Sequence, residues 1–386
     1  MRQPGTVVVA HAVPDLLYGG LQRLTVQLAR LVDGLGFESH IVVFGEVGPL
    51  AAAAGPAQIH AVPRQSRASM LWPQQVTQLL RLIRPDVVHS HSGVWYKASL
   101  AARLAGVPWL VHTDHGRLVP DPWAARFVDG LASRWTDVVV AVSKPLADRL
   151  CQDVVAKADR VRVVANGVDT DEFSPKPVGD QKVTLGIPPK TAVIGSVGRL
   201  ETIKGYDVMI DAFAQYRALA PEQPAVLTIA GDGEERSALE ARARALGVDR
   251  EVLFLGWRED AREVLGALDL FVLTSRSEGT SVSLLEAMSS GICPVVTNVG
   301  GNANVLGSEL SHRLVPTESP RAIAEGWAKA IEDPLVCRAD GAAARRRVEQ
   351  HFSLRAMIRT YEAIYREGLA TTNPRRARIR PTETAL

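Results

Sequence analysis

The 386-residue sequence predicts an α/β protein made of two doubly wound, Rossmann-like domains. Three observations carry that expectation. Short apolar, β-branched runs recur along the whole chain, mostly without polar alternation, the pattern of strands covered on both faces. Longer segments with apolar residues at i, i+3, i+4 and i+7 lie between them, the pattern of amphipathic helices. The chain also exceeds the roughly 250–300 residues at which one core stops growing.

The strand candidates of the first half are TVVVAHAV, SHIVVF, DVVHSH, WLVHTD, DVVVAVS and VRVVAN. Those of the second half are AVIGSVG, AVLTIAG, VLFLG, LFVLTS and CPVVTN. LQRLTVQLARLVDGLG and EERSALEARARALG show the helical period. The series breaks at NGVDTDEFSPKPVGDQKVTLGIPPK, whose Pro-containing turns read as a linker. This places one domain at residues 1–175 and a second at 186–352. SLRAMIRTYEAIYREGL, from residue 353 to 369, is amphipathic and expected to cross back over the domains. Residues 370–386 carry four Arg without apolar periodicity and are expected to form a disordered basic tail.

Composition excludes several classes. A net charge of +2 argues against a nucleic-acid partner. Three separated cysteines, Cys151, Cys293 and Cys337, exclude a disulfide framework and suit a reducing cytoplasm. No apolar run approaches the ~18–20 residues of a membrane span, and the N-terminus reads as a buried strand rather than a signal peptide.

The chemistry-bearing segments follow strands. In SEGTSVSLLEAMSSG, a turn at Gly279 leads into a helix capped by Thr280 or Ser281. Glu278 then lies on the loop and Glu286 about one turn inside the helix. The amides of residues 280–283, Val282 among them, would be free donors at a positive helix end, suited to a phosphate. Two carboxylates beside such a site suit sugar hydroxyls, although Glu-x7-Glu alone equally describes a solvated helix face. GSVGRLETIKGY places Arg199 and Lys204 after Gly195 and Gly198, cations suited to a diphosphate. TIAGDGEE adds a glycine turn at Gly231. In the first half, Gly19–Gly20 leads from a strand loop into a helix. His115 stands at a strand end beside Gly116, placed for either a structural or a catalytic role, and His89 and His91 read as packed or supporting groups. No zinc spacing appears. Asp169 and Asp171 read as turn residues bonding local amides rather than a metal pair.

In order along the chain, YGG, VVANGVDTDEF, GRLETIKG, AGDG, FLGW and SEGTSVSLLEAMSSGICPVVT resemble the retaining glycosyltransferases of family 4, which have the GT-B fold. The resemblance covers nearly the whole chain. It implies that Arg199 and Lys204 bind and neutralise the donor diphosphate. It implies that Glu278 touches the donor sugar and Glu286 the ribose hydroxyls. Gly19 and Gly20 would lie under the phosphates and His115 near the reacting face of the sugar. Gly198, Gly231, Gly256, Gly279, Thr280, Ser281 and Val282 complete the implied donor-binding set. No metal or other cofactor is implied. A UDP- or GDP-sugar would be the donor and a lipid-linked or saccharide molecule the acceptor.

Asn304 departs from the family's usual glutamate, and His312 and Arg313 replace a tight glycine turn, which bears on donor preference. Five of the seven Trp lie in the first half. WAARFVDGLASRW has an aromatic-basic face suited to an anionic membrane surface, consistent with a cytoplasmic protein peripheral at the inner face of the plasma membrane. Two alternatives stand beside this reading. A nucleotide-sugar-binding protein without turnover would use the same residues. A dinucleotide oxidoreductase shares glycine turns after strands, but no Gly-x-Gly-x-x-Gly opens a helix here.

Overall fold

The computed structural model describes residues 6–33, 35–62, 72–116, 122–155, 157–175, 178–258 and 260–372. The basic tail expected at the C-terminus falls outside them from residue 373 onward. The chain divides into two compact units, one of residues 1–165 with 355–386, the other of residues 166–354.

The first unit carries a seven-stranded parallel sheet: β1 (Val7–Val13), β2 (Phe37–Val43), β3 (Gln58–Ala61), β4 (Val87–His91), β5 (Trp109–Asp114), β6 (Val138–Ala141) and β7 (Val161–Val163). Their order is β3-β2-β1-β4-β5-β6-β7. Its helices are α1 (Gly20–Asp33), α2 (Gln74–Ile83), α3 (Trp95–Ala105), α4 (Trp123–Trp135) and α5 (Lys144–Asp153). Every residue of β1 and β4 is buried, as in strands covered on both faces, the polar His11, His89, Ser90 and His91 included. Val76 and Leu80 of α2 and Ala101 and Ala102 of α3 pack on Ala10, Val88 and Leu110 of the sheet.

The second unit repeats the plan with α6 (Val178–Thr184), β8 (Ala192–Val197), α7 (Tyr206–Leu219), β9 (Ala225–Ala230), α8 (Arg236–Ala245), β10 (Val252–Gly256), α9 (Ala261–Leu265) and β11 (Leu270–Leu273). It continues through α10 (Val282–Ser289), β12 (Cys293–Thr297), α11 (Asn302–Leu306), β13 (Leu314–Val315), α12 (Pro320–Glu332) and α13 (Pro334–His351). The sheet order is β10-β9-β8-β11-β12-β13, all pairs parallel. Phe213 of α7 and Trp327 of α12, both fully buried, fill its core with Ile194, Leu227 and Val295. Truncating either to Ala would cost about 3–5 kcal/mol.

An aspartate clamps the amino end of each sheet. The Asp86 carboxylate accepts from the Val8 amide at 3.0 Å, and its own amide donates to the Val8 carbonyl at 2.8 Å. Asp137 holds Leu110 in the same way, and Asp269 holds Val193. Each pair fixes one parallel register before the strand begins. The stretch read as a linker contains α6, whose buried Lys182 donates to Asp269 at 2.7 Å and to the Thr191 carbonyl at 3.0 Å.

The last helix, α14 (Leu354–Thr372), returns to the first unit. Arg162 and Glu367 form a bidentate pair at 2.6 and 2.7 Å. Gly368 admits the Trp109 ring, which any side chain there would strike. No helix among the described residues is long and apolar enough to cross a membrane.

Candidate active site

In each sheet the strand order reverses between two neighbours: β1 and β4 in the first unit, β8 and β11 in the second. Crevices outside the carboxyl ends of such strand pairs are where doubly wound sheets bind ligands. The polar segments singled out in the sequence all follow strands, several of them these four.

In the second unit, Gly198 follows β8, Gly231 follows β9 and Gly256 ends β10. They interlock. The Gly198 amide donates to the Ala230 carbonyl at 2.9 Å and the Gly231 amide to the Gly256 carbonyl at 2.8 Å. Gly231 has φ +142°, and a Cβ there would overlap the Gly198 carbonyl oxygen. A side chain at 231 is therefore excluded both by conformation and by space. A Cβ on Gly198 would stand 2.9 Å from the Tyr206 hydroxyl.

Lys204 ends a short 3-10 turn after β8, and Gly205, in left-handed conformation, is the N-cap of α7. The Lys204 ammonium lies 2.7 Å from Oε1 of Glu278, on the loop after β11. The same oxygen accepts the Ser275 hydroxyl at 2.7 Å. The Glu278 side chain is 8% exposed and that of Lys204 23%, so the pair is largely withdrawn from water. The structure thus joins the two segments across 74 residues of sequence. Arg199 is placed differently: it is half-exposed and paired with Glu201 at 2.7 Å.

Ser281 caps α10, accepting from the Leu284 amide. Thr280 and Ser281 are buried, Val282 opens the helix, and Glu286 is buried within it. The Gly279 carbonyl accepts from the Gly301 amide at 2.9 Å.

Several residues that shape this site escaped the sequence reading. Asn166 donates to the Thr280 carbonyl at 2.7 Å. Arg276 binds Asp207 through two nitrogens, at 3.0 and 2.8 Å, and Glu318 at 2.7 Å. These carboxylates hold its guanidinium above the ordinary range despite partial burial. Gly300, with φ +53°, lets the loop after β12 cross the Glu278 carbonyl, where a Cβ would overlap it. The Gly300-Gly301 pair was the available signal for that crossing. Asp169 accepts from the amides of Asp171 and Glu172, both at 3.0 Å, the turn expected for it. Beyond α11, Asp340 binds His312 at 2.8 Å and the buried Arg313 at 2.6 Å.

In the first unit, Gly20 opens α1 and the Gly19 carbonyl accepts from the Arg23 amide at 3.0 Å. His115 follows β5, its amide donating to the Ser92 hydroxyl at 2.8 Å. Its Nε2 lies 3.1 Å from Nδ1 of His91, whose Nε2 lies 3.5 Å from Nδ1 of His11. His89 bridges the Tyr365 hydroxyl at 2.6 Å and the Thr113 hydroxyl at 2.7 Å, and Thr113 lies 3.0 Å from the Tyr361 hydroxyl. Burial, with neighbouring imidazoles, pushes His89 and His91 well below the ordinary histidine range. Burial lowers His11 to about 3 and His115 to about 4. All four rings are neutral at pH 7. His11, His89 and His91 each bring a ring nitrogen within 4.8 Å of the others, but both nitrogens of His89 are engaged by hydroxyls.

Comparison with known proteins follows the same segments. "Glycosyltransferase Family 4" matches residues 18–172 and "Glycosyl transferases group 1" residues 179–347. The chain is 28% identical over 349 residues to the UDP-Gal:alpha-D-GlcNAc-diphosphoundecaprenol alpha-1,3-galactosyltransferase of Escherichia coli, covering 86% of this chain and 89% of that one. It is 31% identical over 289 residues to a D-inositol 3-phosphate glycosyltransferase of Jonesia denitrificans, covering 69% and 68%. Among solved structures, Anabaena HepE in complex with UDP and glucose superposes with a TM-score of 0.82 at 21% identity, covering 93% of this chain and 99% of that one. WaaG, a glycosyltransferase of lipopolysaccharide biosynthesis, superposes with a TM-score of 0.74 at 19% identity, covering 92% and 99%. The two sheets are those of the GT-B fold.

Proposed function

The chain belongs to glycosyltransferase family 4, and on that premise we propose that it moves a hexose-type sugar from a nucleoside diphosphate sugar to a lipid-linked or polysaccharide acceptor, with retention. The observation that carries this reading is the Lys204–Glu278 pair at the carboxyl ends of β8 and β11. Breaking an anomeric C–O bond builds positive character on the sugar and negative charge on the leaving diphosphate. Lys204 spends one of its three N–H donors on Glu278 and keeps others for phosphate oxygens. Arg199, on the same loop, adds a second cation. Fixed charges placed where charge develops contribute about 3–4 kcal/mol each.

Glu278 is assigned to the sugar hydroxyls and the developing positive charge, Glu286 to the ribose hydroxyls and His115 to the reacting face of the sugar. Gly198, Gly231, Gly256 and the Gly279–Val282 segment would admit the nucleotide by backbone contact, and Gly19 and Gly20 the phosphates. With these cations in place, the reaction needs no divalent metal in this scheme. Retention proceeds by front-face attack within an ion pair.

The relative from Escherichia coli is named for a UDP-sugar donor and a lipid diphosphate acceptor, which favours UDP over GDP and bacterial surface polysaccharide synthesis as the setting. On α4, Trp123 is 75% and Phe127 63% exposed, which supports an anionic membrane surface as a partner at the cytoplasmic face. Flotation with anionic but not neutral vesicles would support that contact, and equal partition would refute it.

The decisive experiment measures binding and slow hydrolysis of UDP-, GDP- and ADP-sugars with EDTA present. One donor that stabilises the protein and is cleaved establishes base, sugar and metal independence. A donor that binds but is never transferred across an acceptor panel favours a binding protein without turnover. Failure of every donor to bind overturns the donor site.

A further inference from the structure

Parallel register stacks the histidines of the first unit. His11 of β1 is the register partner of His89 on β4, and His91 is that of Thr113 on β5. Residues 80 and 24 positions from His91 thereby meet its two ring nitrogens. The result is a chain, His11 Nδ1 to His91 Nε2 and His91 Nδ1 to His115 Nε2. Two buried ring nitrogens, His11 Nε2 and His115 Nδ1, have no partner among the described residues, and they are the two ends of this chain.

A neutral imidazole has one N–H and one lone pair, so it donates through one nitrogen and accepts through the other. Two arrangements satisfy both bonds. If His91 donates from Nδ1 to His115, then His115 must carry its proton on Nδ1, and His91 must accept from Nδ1 of His11. If His115 donates from Nε2, then His91 carries its proton on Nε2 and donates to His11, whose proton is then also on Nε2. Every mixed arrangement opposes two N–H groups or two lone pairs at 3.1 or 3.5 Å.

We infer that His91 is a positioning residue that fixes the tautomer of His115, so that His11, His91 and His115 carry their protons on the same ring nitrogen. The free end of the chain, His115 Nδ1, is thereby a committed donor or a committed acceptor toward a sugar hydroxyl. Changing it requires one proton to enter at His11 Nε2, two to shift along the chain and one to leave at His115 Nδ1. The role in turnover rests on the reading of His115 as a donor-sugar contact, whereas the shared tautomer does not. The two nitrogens of His89 are held by the Tyr365 and Thr113 hydroxyls, so a cation on His11, His89 and His91 would have to displace one of those bonds.

The test is a long-range ¹H–¹⁵N correlation spectrum of histidine-labelled protein at pH 7.5, which separates protonated from bare ring nitrogens. The expected result is three neutral rings, all protonated at Nδ1 or all at Nε2. Opposite tautomers for His91 and His115 overturn the inference. So does a stoichiometric divalent cation retained on His11, His89 and His91. His91→Leu should leave His115 divided between tautomers and lower kcat roughly 10–100-fold, with donor KM changed less than threefold. His91→Asn, whose amide can meet His115 Nε2 as donor or as acceptor, should likewise leave the tautomers of His115 mixed; a single His115 tautomer retained in both variants overturns the positioning role. Full turnover in His115→Ala would instead remove His115 from the reaction while leaving the shared tautomer standing.

Discussion

Replacing Lys204 with Ala separates its two duties, holding a buried carboxylate and neutralising a leaving group. Glu278 is 8% exposed and keeps only the Ser275 hydroxyl when the ammonium is gone. Stranding one partner of a buried pair costs about 3–5 kcal/mol. Lys204 retains some solvent contact and Ser275 remains, so a loss of roughly 2–3 kcal/mol in unfolding free energy is expected. Adding Glu278→Gln removes the stranded charge and should return most of that stability. Turnover should behave differently. A missing cation at the diphosphate raises the barrier by about 3–4 kcal/mol, a 10²–10³-fold loss of kcat, which the second substitution cannot restore. Urea unfolding and initial rates on the same three proteins, the parent, the single variant and the double variant, give both quantities. A stability change under 0.5 kcal/mol would show that the pair is not withdrawn from water, and a rate within threefold of the parent would remove Lys204 from the chemistry.

Three further outcomes follow from the same geometry. Glu286→Ala should raise donor KM by roughly 10–100-fold with kcat little changed, as expected for loss of a charged hydrogen bond to a ribose; an unchanged KM contradicts the assignment. Gly231→Ala should destabilise by roughly 1–3 kcal/mol, read as a lowered Tm, because it combines a positive φ with overlap on Gly198; an unaltered Tm would mean the loop yields freely. The folded pKa values of His11 and His115, about 3 and about 4, lie below the unfolded value near 6.5. Their contribution to stability is complete above pH 6.5 and is lost as pH falls toward those values. Between pH 7 and 5 each should cost about 2 kcal/mol. Tryptophan fluorescence during urea unfolding reports mainly on the first unit, which holds five of the seven Trp, and a midpoint flat over that range would contradict neutral burial.

Legibility in the sequence followed sequence distance. The non-alternating runs marked eleven strands, nine of them largely buried; the edge strands β7 and β10 are only partly covered. β3 and β13 were missed, the first being an edge strand with exposed ends and the second only two residues long. α6 was hidden among prolines because seven residues are too few to display a helical period. The segments after β8 and β11 were readable because Gly, Lys and Glu stand beside the strands that present them. Asn166 was not, since its partner Thr280 lies 114 residues away. The strings HSH and HTDH were visible, but only the strand register aligns them with His11.

The closing helix α14 imposes an order on biosynthesis. Residues 166–354 are contiguous and can complete their sheet while the remainder is still being made. The first unit, although synthesised earlier, lacks Tyr361, Tyr365 and Gly368 until α14 emerges, and until then His89 is without the Tyr365 hydroxyl, Thr113 without that of Tyr361 and Trp109 without its seat. The half of the chain that leaves the ribosome first is thus the half that matures last. During that interval it depends on chaperones or on speed to keep an incomplete parallel sheet from pairing elsewhere.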